Sequence, residues 1–215
     1  MTERIERLVT SGTFSLDGGT WEVDNNVWIV GNDQAVILID PAHDLEAILE
    51  QVAGRRVEKI LLTHGHDDHI RAARQVAEHF SAPLYLNPAD LPLWQMVYPD
   101  WSFDQELADG QLITIGQTQL EVIATPGHSP GSSCFYAPQL SWEGSEGVLF
   151  SGDTLFQGGP GATGRSFSSF ETIIESIRTR LLVLPAQTAV LTGHGEATSI
   201  GREAPDLEAW IQRGH

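Results

Sequence analysis

Four apolar runs in this chain each stop at a side chain that can bind a cation. VEKILL (57–62) leads into THGHDDH, LEVIATPGH ends at His128, GVLFSGD ends at Asp153 and TAVLTGH ends at His194. Short apolar runs of this kind read as buried strands, and strands lying side by side bring their ends to one edge of a sheet. Residues far apart in sequence can then meet at that edge. An isolated histidine in a turn is most often structural. Ligand-type residues recurring in four matched strand-end contexts point instead to metal.

The stretch LLTHGHDDHI (61–70) holds the densest part of the pattern. His64 and His66 lie two apart, while Asp68 and His69 are adjacent, so a tight turn can aim the two pairs in different directions. That suits two nearby cations better than one. Zinc takes imidazole nitrogens and carboxylate oxygens in four-coordinate geometry and keeps one position open when it is catalytic. One turn cannot close two such spheres, so His128, Asp153 and His194 are the candidates to complete them. A glycine precedes each of these three residues, which allows a tight backbone turn.

The remaining elements alternate strands and helices. Runs at Trp21–Val23, Val27–Val30 and Ala35–Ile39 are separated by the turn signals DGG and GND and read as hairpins. Asp44 is placed to cap a helix whose Leu45, Ile48, Leu49 and Val52 share one face. Ile70, Ala73, Val76, Ala77 and Phe80 mark a second helix, with Pro83 ending any continuation. A third is expected to start at Ser168, with Glu171 completing a capping box and Phe170, Ile173, Ile174, Ile177 and Leu181 at helical spacing. The proline- and aromatic-rich segment 87–104 reads as a loop over a site, a subunit contact or packing under a long connection. The expected class is α/β or α+β, layered, with sheets inside and helices outside, in one domain over 1–215.

Composition narrows the partners. A formal net charge of -17 over 215 residues argues against nucleic acid and against anionic membrane surfaces, because both need clustered lysine and arginine. Cys134 is the only cysteine, so no internal disulfide can form and a reducing compartment is expected. The charged start MTERIERLVT lacks the apolar core of a signal peptide. A cytoplasmic protein is the expectation, with a homodimer allowed. Cys134 itself reads as a small buried filler in a strand.

THGHDDH matches the THxHxDH signature of the metallo-β-lactamase superfamily, with His128, Asp153 and His194 following in the order found there. The resemblance covers nearly the whole chain. It implies a four-layer αββα sandwich with a dinuclear site at the rim of the two sheets. Carried over by motif, His64, His66 and His128 hold one metal, Asp68, His69 and His194 hold the other, and Asp153 bridges both. Two divalent ions are implied, zinc first, with iron or manganese open to the same ligands. GDTLF and TGHGEATSIG resemble the short glyoxalase II-type thioester hydrolases. The resemblance therefore implies hydrolysis of a small S-acyl thioester by metal-bound hydroxide, with Asp68 as the catalytic carboxylate that orients it.

Two departures bear on the substrate. Ile70, Arg71 and Ala72 stand where a small residue and glycines often follow the motif. Only a short segment follows His194, so no counterpart is expected to the helical domain that binds glutathione in full-length glyoxalase II, and mycothiol or coenzyme A are open as carriers. The cysteine-ligand β-lactamases match poorly, since Asp153 stands at their cysteine position. Persulfide dioxygenases, which hold one iron through two histidines and an aspartate, are the rival, and the GHGEATSIG ending favours the hydrolases.

Other polar residues take supporting parts. Asp40, ending VILID, is a candidate to orient an imidazole. Asp67, the variable position of the motif, is expected to face solvent or a supporting donor. His43, His79 and His215 read as surface or structural residues, His43 with the strongest link to the site. Arg165, in GGPGATGRSF, could meet a carboxylate on the thiol carrier. Trp94, Tyr98 and Trp101 could wall a pocket, with core or dimer packing as the alternative.

Overall fold

The computed structural model describes residues 3–214, so His215 lies outside the described residues. The chain builds two six-stranded sheets. The first begins with β1 (Arg4–Leu16) and β2 (Gly19–Gly31), a long antiparallel hairpin that pairs Leu16 with Gly19. Asp17 and Gly18 turn it at φ 52° and 77°, the left-handed pair that a two-residue hairpin loop requires. β2 joins the runs at 21–23 and 27–30 into one strand. The charged N-terminal stretch, which carries no strand expectation, supplies β1; it is an edge strand with few buried side chains and so shows no clean apolar period.

β3 (Ala35–Ile39) then crosses through α1 (Leu45–Val52) to the parallel β4 (Arg56–Leu61). Asp44 caps α1 as expected, accepting from the Ala47 N–H at 3.0 Å. The second expected helix is broken in two, α2 (Asp67–Ile70) and α3 (Ala73–Phe80), by a turn at Arg71 and Ala72. β5 (Leu84–Leu86), α4 (Leu91–Val97) and β6 (Gln105–Glu106) complete this half. The 87–104 segment is therefore partly helical and not an open loop.

The second sheet takes β7 (Leu112–Ile115), β8 (Thr118–Ala124), β9 (Ser133–Ala137) and β10 (Val148–Gly152). A small separate hairpin of β11 (Leu155–Phe156) and β12 (Gly159–Pro160) follows, then α5 (Phe170–Ser176). β13 (Ala189–Thr192) and β14 (Thr198–Ser199) close the sheet, and α6 (Ile200–Glu203) and α7 (Leu207–Arg213) end the chain. α5 starts one residue later than its capping pattern suggests. Ser169, in extended backbone, accepts from the Thr172 N–H, whereas the Ser168 hydroxyl accepts from the N–H groups of Gly164 and Arg165 and closes the preceding turn.

Side-chain alternation sorts the core into layers. Val27, Ile29, Val36 and Leu38 pack outward with Ile48, Val52, Val76 and Trp94 of the helices. Trp28, Val30, Ile37 and Ile39 point the other way, onto Ile113, Val122, Phe135, Phe150 and Leu191 of the second sheet. The far face of that sheet, with Ile123, Leu149 and Val190, is covered by Ile173, Ile177 and Trp210. The result is the four-layer αββα sandwich. Cys134 is buried in β9, its thiol pushed up to about 11 by burial, which leaves it a packing residue. Among the described residues no helix is long and apolar enough to cross a membrane.

Topology fixes where the strand ends fall. β10 runs parallel to β13 and antiparallel to β9, which is antiparallel to β8, so β8, β10 and β13 share one direction. Val122, Phe135, Phe150 and Leu191 form one row across them. The residues after β8, β10 and β13 therefore emerge at one edge. The end of β4 reaches the same rim, where the Ser133 N–H donates to the Thr63 carbonyl at 2.8 Å, joining the sheets.

Candidate metal centre

At that rim the chain turns from apolar to polar in every strand. His64 and His66 follow β4, His66 in extended backbone, and Asp68 and His69 ride on the short helix α2. The helix turns Asp68 and His69 away from His66, so one stretch of sequence serves two groups of ligands. His128 follows β8, Asp153 follows β10 and His194 follows β13. Two clusters result whose potential ligand atoms lie within 4.8 Å of one another: His64, His66 and His128, and Asp68, His69 and His194. Asp153 touches both, at 3.6 Å from His128 Nε2, 3.4 Å from His69 Nε2 and 3.3 Å from His194 Nε2.

The glycines before these residues act in different ways. Gly127 and Gly152 lie at φ 141° and 50°, conformations that suit glycine. Gly193 is needed for space instead, since a Cβ there would stand 2.2 Å from Asp153 Oδ1 and 2.7 Å from His69 Cε1.

Hydrogen bonds orient the imidazoles. His128 Nδ1 donates to the Ala162 carbonyl at 2.8 Å and His194 Nδ1 to the Asp24 carbonyl at 2.7 Å, which turns each Nε2 inward toward the cluster. His69 Nδ1 meets Asp40 Oδ2 at 2.9 Å. Asp40 sits at φ 50° and also accepts from the Thr63 N–H and hydroxyl, so its carboxylate is anchored before it reaches the ring. A third grouping of Asp40, His64 and His69 is close enough for a metal, but these bonds already occupy its carboxylate.

The rings then face one another at close range. His66 Nδ1 and His128 Nε2 are 2.9 Å apart, and His69 Nε2 and His194 Nε2 are 3.1 Å apart. His64 Nε2, His66 Nε2 and Asp153 Oδ1 are buried without a hydrogen-bond partner. Buried lone pairs left unpaired are costly, at roughly 1–3 kcal/mol each. A cation satisfies them where a proton donor is lacking, and nitrogen and oxygen donors of this type suit zinc, iron or manganese. The donor set thus fits divalent metal ions.

The electrostatics split the same way. Burial, reinforced by His69 and His66, holds His64 well below its ordinary range, and burial with His128 pushes His66 down to about 3. Both are neutral and free to ligate. In the other cluster burial opposes charge, yet Asp68, Asp153 and Asp40 hold His69 well above its usual range. Likewise Asp153 and Asp68 overcome burial and raise His194 to about 10. The carboxyls of Asp68 and Asp153 are driven low by the same histidines against the opposing effect of burial.

A cavity of about 330 Å3 opens over the centre, lined by His66, Asp68, Asp153 and His194 together with Phe14 and Arg165. A larger groove of about 610 Å3 on the outside of α5 carries no such cluster. Arg165 lies at the cavity mouth with its guanidinium 4.0 Å from the centre of the Trp21 ring and 5.1 Å from that of Phe14. It makes no hydrogen bond or ion pair through that guanidinium among the described residues. Trp94, Tyr98 and Trp101 do not line this cavity; they pack together with ring centres 4.8–5.5 Å apart.

Several supporting residues take defined places around the centre. Asp67 accepts from the Ser15 N–H at 3.0 Å and pairs with Arg71, tying α2 to β1. His43 is half-buried and bonds Asn25 Oδ1 at 2.8 Å, while His79 is exposed. Asn25, which sequence reasoning did not single out, donates from Nδ2 to Asp68 Oδ2 at 3.1 Å. An asparagine before an apolar run carries no signal that separates it from an ordinary turn residue.

Comparison with known proteins agrees with this geometry. Residues 20–194 match the family model of the metallo-beta-lactamase superfamily. The hydroxyacylglutathione hydrolase GloC of Haemophilus influenzae is 34% identical over 184 residues, spanning 77% of this chain and 82% of that protein. Among solved structures, the B3 metallo-beta-lactamase BLEG-1 superposes with a TM-score of 0.74 at 32% identity, covering 91% of this chain and 97% of that one. TTHA1623 in a di-iron-bound form gives a TM-score of 0.72 at 34% identity, covering 85% and 93%. Family match, relatives and strand-end cluster agree: this chain belongs to the metallo-β-lactamase superfamily and is one of its metallo-hydrolases.

Proposed function

We propose that the protein hydrolyses a small S-acyl thioester at a pair of divalent metal ions. The observation that carries this reading is the two clusters sharing Asp153, with His64 Nε2, His66 Nε2 and Asp153 Oδ1 buried without a hydrogen-bond partner. His64, His66 and His128 would hold one ion, Asp68, His69 and His194 the other, with Asp153 between them. Bound there, divalent ions supply hydroxide at neutral pH and polarise a carbonyl oxygen. Zinc is the proposed pair. Iron is supported as an alternative by the di-iron form of TTHA1623, and manganese by the ligand chemistry. The thioester class is supported by the likeness to GloC, whose name is hydroxyacylglutathione hydrolase.

The chain's own residues have separate tasks. Asp68, kept ionised by His69 and His194, is purely an acceptor, with Asn25 fixing its Oδ2. It suits the role of orienting the attacking water, and it cannot donate a proton. The net reaction adds water across the C–S bond and yields a carboxylic acid and a thiol. Arg165 brings a guanidinium to the mouth of the cavity and is placed to bind a carboxylate on the thiol carrier. Phe14 and Trp21 hold its guanidinium over the mouth.

Metal analysis of the purified protein, run beside assays on S-acyl derivatives of glutathione, mycothiol and coenzyme A, tests the proposal. A persulfide with an oxygen electrode and a β-lactam complete the panel. Two ions per chain with thiol release is the expected result. One iron with oxygen uptake establishes the dioxygenase reading instead, and β-lactam turnover without thioester cleavage removes the thioester assignment.

A further inference from the structure

The segment 87–104 lies outside the proposed chemistry, yet one of its side chains reaches into the scaffold of the metal centre. Asp90 is fully buried. Its Oδ2 accepts from the Gly65 N–H at 2.8 Å and from the Ser129 hydroxyl at 2.7 Å, and its Oδ1 accepts from the Gly131 N–H at 2.5 Å. Gly65 stands between His64 and His66, and Ser129 follows His128. One carboxylate thus ties together the two loops that carry all three imidazoles of the first cluster.

The surroundings are shaped for it. A Cβ on Gly131 would lie 2.8 Å from Asp90 Cγ, and one on Gly65 would lie 3.1 Å from Asp90 Cβ. Both loops use glycine where this carboxylate approaches. The segment is itself fixed from below: Trp94 is buried and donates from Nε1 to the Trp101 carbonyl at 2.7 Å. The Tyr98 hydroxyl reaches the Ile70 and Arg71 carbonyls at 2.9 and 2.8 Å, at the end of α2. The segment therefore grips the ligand-bearing turn at Gly65 and again just past His69.

We infer that Asp90 is a positioning residue for the His64–His66–His128 half of the centre, and that the 87–104 segment is a buttress beneath the ligand turn. This rests on the metal-centre reading above. It assigns Asp90 no contact with substrate or ion. Its effect is the relative placement of two loops, so it acts on one cluster and leaves the other to Asp40 and Asn25.

Co2+ titrated into the metal-free full chain, followed by its visible absorption bands, tests the inference. Wild-type protein is measured first, and a failure to take up two ions there defeats the metal-centre reading and this one with it. In Asp90→Ala the first cluster is expected to lose affinity by roughly 10–100-fold while the second keeps its own. Asp90→Asn retains one acceptor oxygen and is expected to fall between. Ser129→Ala, which removes a single bond, keeps the test open if Asp90→Ala fails to fold, with a smaller loss at the same cluster. Equal loss at both clusters, in step with a lowered Tm, reduces Asp90 to general stability and overturns the inference. So does unchanged affinity at the first cluster in all three variants.

Discussion

The two halves of the centre are built from the same kind of strand end and yet are chemically opposite. His64, His66 and His128 form an all-imidazole group that includes no carboxylate of its own. Burial keeps His64 and His66 neutral, so their lone pairs await a cation. Asp68, His69 and His194 interleave carboxylate and imidazole, and there the histidines themselves carry positive charge, His194 with a value near 10. Asp68 and Asp153 favour positive charge on those imidazoles, the same charge that a bound metal ion would supply. The first half therefore gains charge when it binds an ion, while the second exchanges protons for one.

The largest effect expected from breaking this contrast is at Asp153, whose carboxylate lies against histidines of both halves. Asp153→Ala should lower metal occupancy at both and reduce turnover to background, read by metal analysis and thiol release together. His66→Ala should empty the first half alone, leaving one ion per chain, with an activity loss beyond the roughly 10–100-fold that supporting residues cost. Full metal content and undiminished activity in either variant would refute the ligand assignment.

The contrast is sharpened by pH. Affinity at the second half should rise with pH through neutrality, approaching tenfold per unit for each proton released, because His194 must lose a proton held up to about 10. The first half should respond less, since His66 is already neutral above about 3. Co2+ titrations at two pH values read both slopes. Stability of the chelated protein follows from the same shifts. His66 has a folded value below the ordinary 6.5, so its contribution is present above 6.5 and is lost as pH falls toward 3. His194 has a raised value, so its contribution is present below 6.5 and is lost as pH rises through about 10. The Tm of the chelated protein should therefore fall on both sides of neutrality.

The smallest effect is expected at Arg165, which touches neither half. Arg165→Ala should raise KM by roughly tenfold, the order of one hydrogen bond to a charged group, with a smaller change in kcat. An unchanged KM for a cleaved thioester removes Arg165 from carrier recognition.

How much of this was legible in the sequence depended on how local the signal was. The apolar runs before His64, His128, Asp153 and His194 are local, and each proved to be a strand. The cap of α1 at Asp44 is equally local, while Ser168 and Ser169 compete for the cap of α5 because both are serines one step apart. β1 escaped notice because an edge strand with few buried residues has no strong period. The aromatic segment kept three readings open, since proline and tryptophan content does not say whether a chain covers a site or underlies it.

The sequence alone determined which residue types stand at the strand ends, because apolar periodicity and turn chemistry are written within a few residues. Tertiary structure alone decided how those residues pair, because it takes sheet order to bring His69 against Asp40 and to set Asp90 between two loops. It also decided which imidazoles are neutral and which are charged. That depends on burial and on carboxylates contributed by distant segments, and no single stretch of the chain contains both.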